Sequence, residues 1–246
     1  MHVFRRSPVA RGALRHLAKR LAPEGPVERV VEGLRFRLAP RDNKVDFDIW
    51  YKGRLEERDE RAFLAAGLRP GDVLVDIGAN IGLYPVALLA AVPGLRAITF
   101  EPLDRLRARQ AANLALNGLA DRADVRAEAV GPAGTMRLHE SRNAGRSSLL
   151  PFDGARPGRP VAIRPLADLL AGTRPAALKI DVEGFEAEAL LPYFDTVPST
   201  LWPRRLVIET LHRALWRRDC LQELVERGYV LRGETAENAL LGRGDG

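Results

Sequence analysis

Four groups of residues have types and spacing suited to chemistry. The first is Asp76-Ile77-Gly78-Ala79-Asn80-Ile81-Gly82, an acid and an amide set among two glycines. The second is Glu101, followed by Pro102. The third is Lys179-Ile180-Asp181-Val182-Glu183-Gly184-Phe185-Glu186, and the fourth is Glu209 with His212 three residues on. Glycines let a backbone approach a ligand closely, and a helix start behind such a loop offers unpaired N–H groups. Carboxylates accept hydroxyl hydrogens, hold cations or take a proton. The glycine spacing excludes two common ligands. Gly78 and Gly82 have three residues between them, which is neither the G-x-G-x-x-G of a dinucleotide site nor a phosphate-binding P-loop.

The elements that must position these groups follow from the apolar pattern. Residues 73–77 (VLVDI), 97–100 (AITF), 125–130, 177–180 (ALKI) and 206–208 are short apolar runs that read as strands. Residues 56–66, 83–91 and 103–116 read as helices. Strands alternating with helices predict an α/β fold with a mostly parallel sheet and helices on both faces. The glycine loop then falls at the carboxyl end of the first strand, where ligands of open α/β sheets bind. Residues 131–165, rich in Gly, Pro and Arg, read as a hairpin-like insertion near the substrate. Residues 34–39 and 44–50 both alternate, and Arg41-Asp42-Asn43 reads as the turn of a hairpin between them.

Length, charge and composition set the outer bounds. The 246 residues suit one large domain with a short appendage, divided here as an extension over 1–55 and a main domain over 56–246. The single cysteine, Cys220, excludes an internal disulfide framework and a Cys-rich zinc site. No run of 18 apolar residues occurs, and the chain is expected to be cytoplasmic. Residues 1–22 carry six basic side chains and no acid, equal to the whole net charge of +6, so the remainder is neutral. A neutral body argues against a nucleic-acid partner. The arm, with Leu14, Leu17 and Leu21 on one helical face, fits three roles: a helix packed on the domain, a surface for a membrane or acidic partner, or a targeting segment. Lys179 is the only lysine after residue 52 and is expected to pair with a buried acid or with substrate.

Glu101 ends the second strand, 25 residues after Asp76, where a carboxylate can accept both ribose hydroxyls. A loop that holds an amino-acid carboxylate, with an acid for a ribose, fits S-adenosylmethionine, which carries no phosphate.

Taken together, these residues resemble the FkbM-type S-adenosylmethionine-dependent methyltransferases. The similarity runs over about 57–241. Its motifs are Val75 to Gly82, Phe100-Glu101-Pro102, Asn113 with Asn117, Leu178 to Glu186, and Val207-Ile208-Glu209. The resemblance implies a Rossmann-like class I methyltransferase fold with seven strands, the last antiparallel. With so little chain left after residue 241, that last strand is expected to be short and 242–246 a loose tail. It also implies methyl transfer to a hydroxyl oxygen, on a sugar, a secondary metabolite or a carrier-bound intermediate. Asp76, Gly78, Asn80 and Gly82 would surround the methionine part and Glu101 the ribose. Glu128 and Ala129, at the end of the third strand, would edge the adenine, or Glu128 is simply an exposed strand residue.

A hydroxyl acceptor must be held in line with the departing sulfur and must lose a proton. Asp181, at the end of the fourth strand, is the first candidate for base or orienter. Glu183 and Glu209 come next, and Glu209 with His212 would make a base–orienter pair on one rim. Acids this close to the methyl site also suit a magnesium ion holding the acceptor oxygens; a metal-free route suits them equally. Two other readings remain: an idle binding domain that keeps the fold, against which the retained Asp76, Glu101 and Asp181 argue, and an N-methyltransferase, for which no Asn/Asp-Pro-Pro-Tyr/Phe motif is present.

Overall fold

The protein is described from a computed structural model, which covers residues 8–141, 144–152 and 158–244. Seven strands form the central sheet: β3 (Val73–Ile77), β4 (Arg96–Phe100), β5 (Ala123–Arg126), β9 (Ala177–Ile180), β10 (Arg205–Glu209), β11 (Tyr229–Glu234) and β12 (Asn238–Arg243). Their order is β11-β12-β10-β9-β3-β4-β5. All pairings between β10 and β5 are parallel, while β12 runs antiparallel to both β10 and β11. This is the α/β sheet that the resemblance implied, seven strands with β12 antiparallel. Leu74, Val75, Leu178, Ile180, Leu206, Val207 and Ile208 are fully buried, which is why these strands read as unbroken apolar runs.

Helices α4 (Leu83–Ala91), α5 (Asp104–Leu116) and α7 (Glu186–Thr196) make the crossovers. The chain steps outward one way through β3, β4 and β5, and the other way through β9 and β10. Right-handed crossovers therefore put α4 and α5 on one face and α7 on the other. α3 (Arg58–Ala65) packs on α4, and α6 (Leu166–Leu170) and α8 (Cys220–Glu226) pack on α7. The strand order reverses between β3 and β9, which opens a crevice at their carboxyl ends.

Several expectations need correction. The alternating residues 44–50 are not a strand but helix α2 (Lys44–Lys52). Asn43 caps it by accepting from the Val45 N–H, Gly53 closes it in the left-handed region, and Phe47 stacks on Tyr51 one turn later. The true hairpin joins β1 (Val27–Val31) to β2 (Leu34–Leu38). Its two turn residues, Glu32 and Gly33, both have positive φ, as a type I′ turn requires. The expected third strand, 125–130, is two strands. β5 follows β4 only as far as Arg126, because the last ladder bond comes from Glu101 N–H and Pro102 has none to give. The chain then forms β6 (Ala129–Val130), in a second sheet with β7 (Gly134–Leu138) and β8 (Arg159–Arg164) inside the 131–165 insertion. The last strand, β12, is not short, since it pairs through Gly242 and Arg243 with the start of β11.

The hairpin and α2 share one continuous core with the sheet, through Phe36, Leu38 and Ile49. Asn113 of α5 and Asn117, which follows its last turn, tie the hairpin down by accepting the Arg37 and Arg35 N–H groups. Helix α1 (Pro8–Leu21) lies outside this core. Its Leu14, Leu17 and Leu21 are exposed, and it meets the domain through Arg15, which pairs with Asp48 at 2.6 Å and lies over the Phe47 ring. Arg5 and Arg6 lie outside the described residues. Among the described residues no helix is long and apolar enough to cross a membrane.

Candidate active site

The crevice at the switch point is a cleft lined by Gly78, Asn80, Glu101, Glu128, Ala129, Asp181 and Glu183, with Leu103 and Leu106 as apolar wall. Seven of the residues singled out in the sequence therefore meet in one place. The others lie around it. Asp76 is buried directly beneath, and Gly82 serves helix packing, where a Cβ would strike Gln110. Glu209 and His212 stand on the adjoining rim.

The loop is shaped by close approach. Gly78 has φ +77, and a Cβ there would come within 1.8 Å of the Asp181 carbonyl oxygen. Asn80 is in the left-handed region, and its N–H donates to Glu101 Oε2 at 2.9 Å. Leu103 N–H donates to Glu101 Oε1 at 2.9 Å, so Glu101 fastens the two loops that flank the cleft. Each of its oxygens keeps a second acceptor position.

Acids outnumber cations here. Lys179 is nearly fully buried, 3.4 Å from Asp181 Oδ2 and 3.9 Å from Asp76 Oδ1. It stands over the Tyr84 ring, whose hydroxyl donates to Glu57 at 2.6 Å. Burial alone would discharge the lysine, but Asp181, Asp76 and Glu57 hold it charged, above the ordinary lysine range. Both oxygens of Asp76 are buried with no hydrogen-bond partner. Burial pushes the Asp76 carboxyl up to about 6 against the pull of Lys179. Burial likewise pushes Glu101 up to about 7, against its two backbone donors. Glu209 is pushed up to about 9 by burial and by the neighbouring acids Glu186 and Asp181.

His212 does not pair with Glu209 as the spacing suggested. Its Nε2 lies 2.9 Å from Glu183 Oε2. Glu209 instead turns back on its own loop and accepts the Leu211 N–H. Glu183 has positive φ, which brings its side chain round to the imidazole. Sequence reasoning gave no role to Glu186, Trp216 or Ser148. Glu186 accepts N–H groups of Val182 and Gly184 on one oxygen and the Trp216 indole on the other. An acid at a helix start ordinarily reads as a cap, so only its place in the Asp181–Glu186 motif marked it. Ser148 Oγ donates to the Glu183 carbonyl, and Ala144 N–H to the Asp42 carbonyl. The 144–149 segment of the insertion is thereby held over the cleft. It leaves a cavity of about 60 Å³.

A methyltransferase from Geobacter sulfurreducens superposes with a TM-score of 0.50 at 14% identity, over 81% of this chain and 85% of that one. A precorrin-6Y C5,15-methyltransferase from Geobacter metallireducens gives 0.48 at 13% identity, over 78% and 90%. A segment of 47 residues is 45% identical to AMB antimetabolite synthetase AmbE of Pseudomonas aeruginosa. That match spans 19% of this chain and 2% of AmbE. The model of the methyltransferase FkbM domain matches residues 76–230, from the buried aspartate of the glycine loop to the start of β11. With more than half its length inside that model and a methyltransferase sheet around the matched motifs, the chain belongs to the FkbM methyltransferase family.

Proposed function

We propose that this methyltransferase uses S-adenosylmethionine to methylate a hydroxyl oxygen of a small or carrier-bound substrate. The observation that carries the reading is the excess of buried negative charge at the switch point. Asp76, Glu101, Asp181 and Glu57 surround one lysine, and both Asp76 oxygens lack a hydrogen-bond partner. Buried charge of one sign is stable only when paired, so the cleft suits a cationic ligand. The cofactor brings a sulfonium and an ammonium, and its methyl group is the electrophile.

The residues then divide the work. The Gly78–Asn80 backbone takes the amino-acid end, with Asp76 supplying charge from below. Glu101 takes the ribose hydroxyls, and Glu128 with Ala129 edges the base. Asp181, on the opposite wall, orients the acceptor hydroxyl and receives its proton. Glu183, fixed by His212, is the second carboxylate within reach of that wall. A cavity of about 60 Å³ is far below the roughly 300–1,000 Å³ of small-molecule sites, so the 144–149 segment must lift for ligand to enter. The identity of the acceptor awaits a labelled-methyl search among cell metabolites.

Thermal unfolding tests the cofactor reading. S-adenosylmethionine and its demethylated product at 100 times their Kd should add about 2.7 kcal/mol of stability, and NAD should add none. Stabilisation by NAD with none by S-adenosylmethionine overturns the reading.

A further inference from the structure

We propose that Asp181, Glu186 and Glu209 form a binding site for one divalent cation of the oxygen-loving kind, magnesium or calcium. The strand register brings two of them together. β9 and β10 pair in parallel with Ile180 opposite Ile208, so Asp181 and Glu209 follow side by side at the strand ends. The loop after Asp181 turns sharply through Glu183 and Gly184, both with positive φ, and brings Glu186 back at the start of α7. One carboxylate oxygen from each of the three residues lies within 4.8 Å of the others.

The Glu209 side chain points to a ligand independently of the clustering. Glu209 is 6% exposed, and its Oε2 is buried with no hydrogen-bond partner. Glu186 is completely buried, and its two oxygens are already held by three N–H donors, which fixes the carboxylate in place. Among the described residues no Lys, Arg or His lies within ion-pair distance of Glu186 or Glu209. Lys179 serves Asp181 and is shared with Asp76. Buried carboxylates without a basic partner are balanced by a metal or by protons. Glu186 and Glu209 are already held by backbone and indole donors and Asp181 by Lys179, so the three carboxylates converge in the preorganised form of a metal site. The donors are all carboxylate oxygen, with no thiolate or imidazole among them, which selects magnesium or calcium over zinc or copper.

The position gives the ion a task. Asp181 also lines the cleft, so an ion on this triad borders the place where the acceptor enters. If the methyl-transfer reading above holds, an ion held by Asp181, Glu186 and Glu209 would supply Lewis acidity beside the acceptor and lower the pKa of its hydroxyl. The binding site itself stands on the geometry alone.

The test uses the full chain freed of metal with a chelator and then dialysed. Mn²⁺ is titrated in and free Mn²⁺ is read by electron paramagnetic resonance, with Mg²⁺ and Ca²⁺ as competitors. S-adenosylmethionine binding is measured on the same samples by calorimetry. The expected result is one Mn²⁺ per chain, displaced by Mg²⁺ or Ca²⁺, with affinity at least about 10-fold weaker in Glu209→Gln and in Asp181→Asn. Asp181 is half exposed, so its variant stands in if Glu209→Gln does not fold. No Mn²⁺ bound at millimolar concentration, or equal binding by the folded variants, overturns the metal site. Either result with S-adenosylmethionine still binding leaves the cofactor reading standing. Mn²⁺ binding without cofactor binding does the reverse.

Discussion

The two ends of the same parallel strands are finished in opposite ways. At the amino ends, the charges flanking β3 and β10 have partners. Asp72, just before β3, accepts the Arg69 N–H at 2.9 Å and Arg204 at 2.7 Å. Arg204 also reaches the Gly67 carbonyl, and Arg205 lies over the Phe63 ring and donates to its carbonyl. The Tyr229 hydroxyl finds the Pro203 carbonyl. None of these groups is among the buried atoms left without a hydrogen-bond partner. At the carboxyl ends, Asp76 and Glu209 keep such atoms, and acids crowd around Lys179. The core beneath is common to both ends, so packing does not explain the difference. One end closes the sheet. The other holds desolvated acids that a ligand cation or a proton must balance, which is how functional sites depart from the rules that stabilise the rest of a fold.

The comparison can be broken most sharply at Asp181 and Asp72. With labelled S-adenosylmethionine and a metabolite extract, Asp181→Asn should lower methyl transfer about 10²- to 10⁴-fold, the span of a lost general base. Asp72→Asn removes a half-exposed ion pair, so it should cost on the order of 1 kcal/mol of stability and leave transfer unchanged. Equal effects on transfer would abolish the distinction between the rims.

A smaller effect separates two glycines. Gly78 and Gly71 both have positive φ, at the carboxyl and amino ends. A Cβ on Gly71 meets nothing within 4 Å, so Gly71→Ala should cost only the left-handed backbone term, about 1–2 kcal/mol. Gly78→Ala adds a collision with the Asp181 carbonyl, and about 1–3 kcal/mol more for overpacking. Urea unfolding of the two variants reads the difference. Equal midpoints would mean that the two loops are not under different steric pressure.

What could be read from the sequence follows from which forces are local. β3 and β9 were legible because a strand covered on both faces is an unbroken apolar run. The glycine loop was legible because only glycine tolerates such close approach of Gly78 to Asp181. Residues 44–50 misled because Val45, Phe47 and Ile49 alternate, while Phe47 and Tyr51 also keep helical spacing. The Asn43 cap and the Gly53 stop decided the contest. The break between β5 and β6 depends on Pro102, a residue of the neighbouring strand end, and no local pattern carries it. The partner of His212 depends on the turn at Glu183, 29 residues away. Glu186 hid because helix starts commonly carry acids.

The central claim is that the carboxyl rim keeps buried acids poised for a cation. In the ligand-free protein Asp76 and Glu101 have pKa values raised to about 6 and about 7, so near pH 6.5 they carry part of a proton each. A raised carboxyl contributes stability that is complete below its unfolded value and is lost as pH rises through the folded one. A cation beside them lowers both values and expels protons. Calorimetric titration of S-adenosylmethionine at pH 6.5, in buffers of different ionisation enthalpy, counts those protons. The account predicts binding with net proton release, less release for S-adenosylhomocysteine, which lacks the sulfonium charge, and affinity that weakens as pH falls from about 7 through about 6. Binding with no proton release, or no binding at any pH, would contradict it.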